Sequence, residues 1–183
     1  MTPQDISVIR FRALNPETRT DFSRLGCHDL ASPASCDLVI SSEQKVGFPL
    51  WSDHRQILME LANGGFGPGY GLLGIDGGSV DDDGRSLIEL RDMILSPEEL
   101  SLPIIPLCDW GGGVWSCLDC QTGEILTCSE LGLKGLGVYF NSWLLQWAGG
   151  KNWRPEMFHF DSIEVIDPKT GIRSQISKLK EFE

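Results

Sequence analysis

The chain has 183 residues, of which 41% are hydrophobic and 22% charged, and its formal net charge is −11 at pH 7. This length fits one domain, and the apolar content is enough to bury a core, which excludes a disordered chain. An acidic excess repels phosphate backbones and anionic lipids, so we expect neither nucleic acid nor a membrane as a partner.

The sequence also predicts the compartment in which the protein works. No segment approaches the roughly 20 apolar residues that span a bilayer, and residues 1–14 lack the apolar core of a signal peptide. We therefore expect a cytoplasmic protein whose six cysteines are reduced thiols.

The first quarter of the chain is weakly patterned. Residues 15–17, Asn-Pro-Glu, favour the start of a short helix. Residues 26–42 hold Pro33 and several serines, and are expected to be mostly loop. Residues 1–47 are thus interpreted as an N-terminal extension of uncertain structure.

A helix is predicted after Ser52, which is a suitable N-cap. Asn63-Gly64-Gly65 is expected to end it, and the glycine-rich residues 66–71 are too irregular for a helix or strand. The apolar face of this helix comprises Leu50, His54, Ile57, Leu58 and Leu61.

The middle of the chain alternates short predicted elements with loops. Residues 72–75 favour a short buried strand and residues 77–84 an acidic loop. Residues 87–93 fit either a helix or a strand, and residues 96–99 fit the first turn of a helix.

The second half of the chain is predicted to begin with strands. Three apolar runs, at 104–108, 114–120 and 124–128, are separated by glycine-containing turns and predict antiparallel hairpins. A helix is expected around Phe140, Trp143, Leu144 and Trp147, which share one face, with Asn141 as its cap and Gly149-Gly150 at its end.

The tail is interpreted as a C-terminal extension that follows the core. Runs at 163–166 and 172–176 flank a turn and predict a hairpin. The domain organisation is therefore an extension over 1–47, a core domain over 48–150 and a hairpin extension over 151–183.

Cysteine, glycine and histidine motifs are the candidate sites of chemistry in this sequence. Cys117 and Cys120 form a C-x-x-C, but in a strand residues three apart point to opposite faces and cannot share a zinc ion. The glycine run lacks the order of a phosphate-binding loop, and the three histidines, His28, His54 and His159, have no catalytic context. We predict no catalytic residue, metal site or cofactor, and expect the protein not to be an enzyme.

The acidic charge is concentrated in the middle third of the chain. Residues 76–130 contain 12 acidic and two basic residues, for a net charge of −10. Such a field attracts basic proteins, although it also serves solubility. The candidate partner-binding residues are Asp76, Asp81, Asp82, Asp83, Asp109 and Trp110. Trp110, beside a glycine turn, is considered as an exposed aromatic anchor, with partial burial at the turn as the alternative.

Several segments, in this order, resemble a SUKH domain, the superfamily named for the yeast regulator Smi-one/Knr-four. They are Phe48-Pro49-Leu50, the helix end at 61–65 with the run 67–73, the strand pair at 106–113 and 117–124, and the helix over 140–148. The resemblance covers residues 48–150 and leaves both extensions uncovered. It implies an α+β fold, with a central, mostly antiparallel sheet and helices packed around it.

The resemblance also implies a function in protein binding. Bacterial members of that superfamily are largely immunity proteins that neutralise toxins, often nucleases, and no catalytic residues are attributed to the fold. We therefore expect a non-catalytic immunity protein that binds a cognate toxin, or another basic protein, through an acidic face. A regulatory or scaffolding domain without a toxin partner is the alternative, and the oligomeric state is left open.

Overall fold

The computed structural model describes residues 1–15, 30–158, 163–166 and 173–176. It confirms the predicted α+β class, with helices around a four-stranded antiparallel sheet. The helices are α1 Pro3–Leu14, α2 Cys36–Val46, α3 Ser52–Glu60, α4 Leu87–Ile94, α5 Phe140–Ala148 and α6 Arg154–Met157, with a 3-10 turn at Glu99–Ser101. The strands are β1 Ile104–Asp109, β2 Trp115–Asp119, β3 Glu124–Ser129, β4 Gly132–Tyr139, β5 Ile163–Ile166 and β6 Arg173–Ile176.

The main sheet has the order β1-β2-β3-β4, and its strands are joined in sequence by short turns. Residues 70–73 run beside β1 without forming a regular strand. The Tyr70 N–H donates to the Asp109 carbonyl at 2.9 Å, and the Leu73 N–H donates to the Leu107 carbonyl at 2.7 Å. The run predicted as a buried strand at 72–75 is therefore buried and bonded to the sheet edge, but irregular.

One hydrophobic core joins the sheet to the helices. The predicted apolar faces of α3 and α5 are confirmed, since every residue assigned to them is buried. The aromatic rings of Phe66 and Trp147 lie 6.2 Å apart, and those of Phe140 and Trp143 lie 6.4 Å apart. The ambiguous run at 87–93 is helical, as α4, and the predicted hairpins at 104–128 form β1 to β3.

Helix α1, within the predicted N-terminal extension, packs into this core. Thr2 and Asp5 form a reciprocal capping box at the start of α1. Ile6, Ile9 and Ala13 on α1 are buried in the same cluster as α5. No packing boundary therefore separates these α1 residues from the domain that follows.

The expected loop at 26–42 is also wrong from residue 36 onward. Ser35 caps α2 by accepting a hydrogen bond from the Leu38 N–H at 3.2 Å. Val39 in α2 is fully buried, and Gly47 ends the helix with φ of +86°. The serines that suggested a loop include the cap of this helix.

The structure differs from the sequence-based predictions at two helix caps and one strand. Trp51, not Ser52, precedes α3 as its N-cap, and Tyr139, not Asn141, precedes α5. Strand β4 was not predicted. The helix start expected at 15–17 lies outside the described residues except for Asn15, which ends α1. In the tail, β5 pairs with β6 as an antiparallel hairpin, and its turn lies outside the described residues.

Candidate functional site

Asn63 holds together the loops that carry the acidic residues. Its side chain is buried; the Oδ1 atom accepts a hydrogen bond from the Ile75 N–H at 2.9 Å, and Nδ2 donates to the Ile75 and Asp76 carbonyls at 3.3 Å each. The Asn63 carbonyl accepts from the Ser79 N–H at 2.8 Å. One buried side chain thus fixes the entrance to the loop over residues 76–85.

Gly64 allows the backbone to approach at this point. Its φ is +86°, and a Cβ atom there would lie 2.6 Å from the Leu72 carbonyl oxygen and 2.7 Å from the Gly74 nitrogen. These are backbone atoms, so a side chain could not be accommodated by a rotamer change. The glycine run therefore serves close packing, as the absence of a phosphate-loop order predicted.

Asp81 organises the acidic loop. Its carboxylate accepts hydrogen bonds from the backbone N–H groups of Asp83 and Arg85 and from the Arg85 side chain. Burial alone would raise the pKa of the Asp81 carboxyl, but the hydrogen bonds and the charge of Arg85 outweigh it and lower that pKa. Asp81 is therefore a structural carboxylate, largely withdrawn from solvent, with a side chain only 6% exposed.

The neighbouring acidic residues are accessible. Asp82 is exposed, and the side chain of Asp83 is 72% exposed while pairing with Arg85. Asp76 lies at another position, where it pairs with Lys45 of α2. The structure thus brings Asp81, Asp82 and Asp83 together on one loop and gives Asp76 a separate partner.

A cleft connects this loop to the end of β1. Asp109 lines it together with Asp81 and Asp82, and the remaining lining residues are Tyr70, Gly71, Leu73, Ser79 and Val80. Asp109 accepts a hydrogen bond from the Gly111 N–H at 2.7 Å. Burial raises the pKa of the Asp109 carboxyl, the Gly111 hydrogen bond opposes this, and the charges of Asp82 and Asp81 raise the pKa further. No cation in the described part of the chain pairs with Asp109.

The prediction that Trp110 is an exposed anchor is wrong. Its side chain is only 2% exposed, and its indole N–H donates to the Ser116 hydroxyl at 2.8 Å. The Arg154 guanidinium donates to the Trp110 carbonyl at 3.0 Å. The glycines that follow Trp110 turn the chain while its indole packs inward, so the indole is part of the core and not an exposed anchor.

A second tryptophan, Trp115, lies on the neighbouring strand β2. It is half-buried and lies directly opposite Asp109 in the β1–β2 register. Its side chain packs against both the main core and a small cluster that includes Cys117 and Cys128. Strand alternation, which can be predicted from the sequence, puts Trp115 and Cys117 on one face of β2 and Ser116 on the other.

The cysteines of the C-x-x-C pack in different clusters. Cys117 lies with Leu95 and Ile104, whereas Cys120 joins the main core. Burial raises the pKa of the Cys120 thiol to about 12. In the described residues, no three His, Cys, Asp or Glu side chains converge as metal ligands would.

Neither known family models nor curated protein sequences give a relative of this chain. Within the described ranges, no helix has the length and apolar character needed to cross a membrane.

Proposed function

We propose that the chain is a non-catalytic protein-binding domain of the immunity type, which neutralises a cognate toxin in the cytoplasm by covering a basic surface on it. A nuclease, whose active-site cleft binds phosphate backbones, is the toxin class that fits an acidic inhibitor. The single observation that carries the proposal is the net charge of −10 between residues 76 and 130. The order of the SUKH-like motifs is a second support.

The proposed binding surface is the acidic loop and the cleft beside it. Asp82 and Asp83 supply accessible charge, and Asp109 supplies a half-buried carboxylate within the cleft. Asp81 contributes by fixing the loop, because its carboxylate already pairs with Arg85. Trp110 is buried and is not part of the proposed binding surface. Asp76 is not part of it either, because its carboxylate pairs with Lys45.

Such a surface would act through the rate of association as well as through occlusion. Complementary charge steers diffusional encounter and raises the association rate by about 10-fold or more at low salt. Salt screens this attraction, since the Debye length falls to about 8 Å at physiological ionic strength. Association that weakens with salt is therefore the expected signature.

A toxicity assay tests the proposal. A toxin encoded beside the gene for this chain would be expressed with the wild-type protein, with Asp82→Lys/Asp83→Lys, or with Glu60→Lys as a control on α3. Wild type and Glu60→Lys should rescue growth, while the double variant should rescue it less, with association slowed about 10-fold or more at low salt.

The outcome separates the two functions under consideration. Rescue by the double variant equal to wild type would show that the acidic loop is not the binding surface. Absence of a neighbouring toxin, together with a stable complex with a cellular protein of another kind, would favour the regulatory or scaffolding function.

A further inference from the structure

Two free thiols, those of Cys117 and Cys128, lie next to each other on neighbouring strands of the main sheet. Cys117 on β2 is the direct cross-strand partner of Leu126, and Cys128 on β3 is the direct partner of Trp115. The two cysteines are therefore diagonal neighbours on one face of the sheet. Both belong to the smaller of the two hydrophobic clusters.

The two thiols interact through a hydrogen bond that makes them unequal. The Cys117 thiol donates to the sulfur of Cys128, which raises the pKa of Cys117 well above its usual value, and burial adds to the rise. The same hydrogen bond lowers the pKa of the Cys128 thiol, while burial and the charge of Glu99 oppose the change. Cys128 is therefore the thiol that ionises first, and the thiolate is the nucleophilic form of cysteine.

The other cysteines of the described ranges do not share this arrangement. Cys36 is exposed on α2, and Cys108 and Cys120 pack in the main core. Within those ranges, only Cys117 and Cys128 hydrogen-bond to each other. The pair that the fold brings together is thus different from the C-x-x-C of the sequence.

We propose that Cys117 and Cys128 are a reversible redox site, in which a small peroxide joins the two sulfurs as a disulfide between β2 and β3. The Cys128 thiolate attacks one oxygen of hydrogen peroxide, the O–O bond breaks, and Cys128 becomes a sulfenic acid while hydroxide leaves. The Cys117 sulfur then displaces the sulfenic hydroxyl, which takes the Cys117 proton and leaves as water. In total, two thiols are oxidised, one hydrogen peroxide is reduced, and two water molecules form.

The packing around the pair selects a small oxidant and a labile disulfide. Cys117 is fully buried and Cys128 is 3% exposed, so a large disulfide reagent is kept out, whereas peroxide enters when the cluster opens locally. Diagonal neighbours are more widely spaced than direct cross-strand partners. A disulfide that must draw its Cβ atoms together is strained and easily reduced. A small thiol reductant should therefore restore both thiols.

Peptide mapping of the full chain after treatment with hydrogen peroxide tests the proposal. Free thiols are alkylated first, and cleavage after aspartate and glutamate then puts Cys108, Cys117, Cys120 and Cys128 on the separate peptides 100–109, 110–119, 120–124 and 125–130. We expect peptides 110–119 and 125–130 to be joined, with the loss of two hydrogens, and to separate after dithiothreitol. In Cys117→Ser, Cys128 should remain a sulfenic acid, which dimedone traps on peptide 125–130.

A matched pair of variants separates this disulfide from one within the C-x-x-C. Cys128→Ser should abolish the link, whereas Cys120→Ser should leave it intact. Circular dichroism shows whether each variant is folded, and the map of the wild-type chain decides the proposal even where a variant is not. If the oxidised wild type gives no link between 110–119 and 125–130, or if Cys117 is joined to Cys120 instead, the proposed redox site is wrong.

Discussion

Replacing Asn63 with alanine tests the account of how the acidic loop is positioned. The change removes one acceptor and two donors from a side chain that is 1% exposed. The Ile75 N–H is then left buried without its partner, at a cost of about 1–3 kcal/mol, and two carbonyls lose a donor each. We expect a total loss of about 2–4 kcal/mol in the free energy of unfolding.

Urea unfolding followed by tryptophan fluorescence would measure this loss, with a fall in Tm of about 5–15 °C in a parallel thermal scan. Asn141→Ala is the matched control, because its side chain is exposed and bonds only to the adjacent Ser142 N–H. It should cost less than about 0.5 kcal/mol. If Asn63→Ala costs no more than Asn141→Ala, the argument that Asn63 fixes this loop is refuted.

Four further substitutions have expected outcomes. Burial lowers the pKa of His54 from 6.5 to about 4, so the neutral side chain contributes about 3 kcal/mol of stability that is lost as pH drops from 6.5 to 4. His54→Phe should remove this contribution to the pH dependence, measured by urea unfolding at several pH values. Trp110→Phe should lower stability by about 1–3 kcal/mol by removing a buried hydrogen bond, while leaving the partner's Kd unchanged. Gly64→Ala should cost more than about 2 kcal/mol or prevent soluble expression. Because folding raises the pKa of Asp109, its ionised form destabilises the native state, and Asp109→Asn should raise Tm at pH 7 but not at acidic pH.

The fold was predictable where a clear period places apolar residues on one face. Helices α3 and α5 carry such faces, and Ile57 and Trp143 are fully buried as expected. Helix α1 was missed because its outer side is also apolar, with Phe11 at 66% and Leu14 at 59% exposure, which blurs the contrast between faces. Strand β4 was missed because glycine at three of its eight positions interrupts the alternation.

The candidate site was only partly predictable, because it depends on pairing between strands. The sequence identified the acidic residues but could not separate Asp81, which is internally paired, from the exposed Asp82. The exposure expected for Trp110 was wrong, because its indole packs into the core, and the position of Trp115 was not foreseen. The β1–β2 register shifts at an irregularity between Pro106 and Cys108, and only that register places Trp115 opposite Asp109.

A pull-down from the source organism tests the central claim most directly. The full chain and the Asp82→Lys/Asp83→Lys variant serve as baits, each washed at about 50 mM and then about 200 mM salt. The account predicts that the wild-type bait holds a basic, toxin-like protein at low salt, releases it at high salt, and that the variant captures little of it. Recovery of the same partner by both baits, resistant to salt, would contradict the claim that this acidic surface binds the partner.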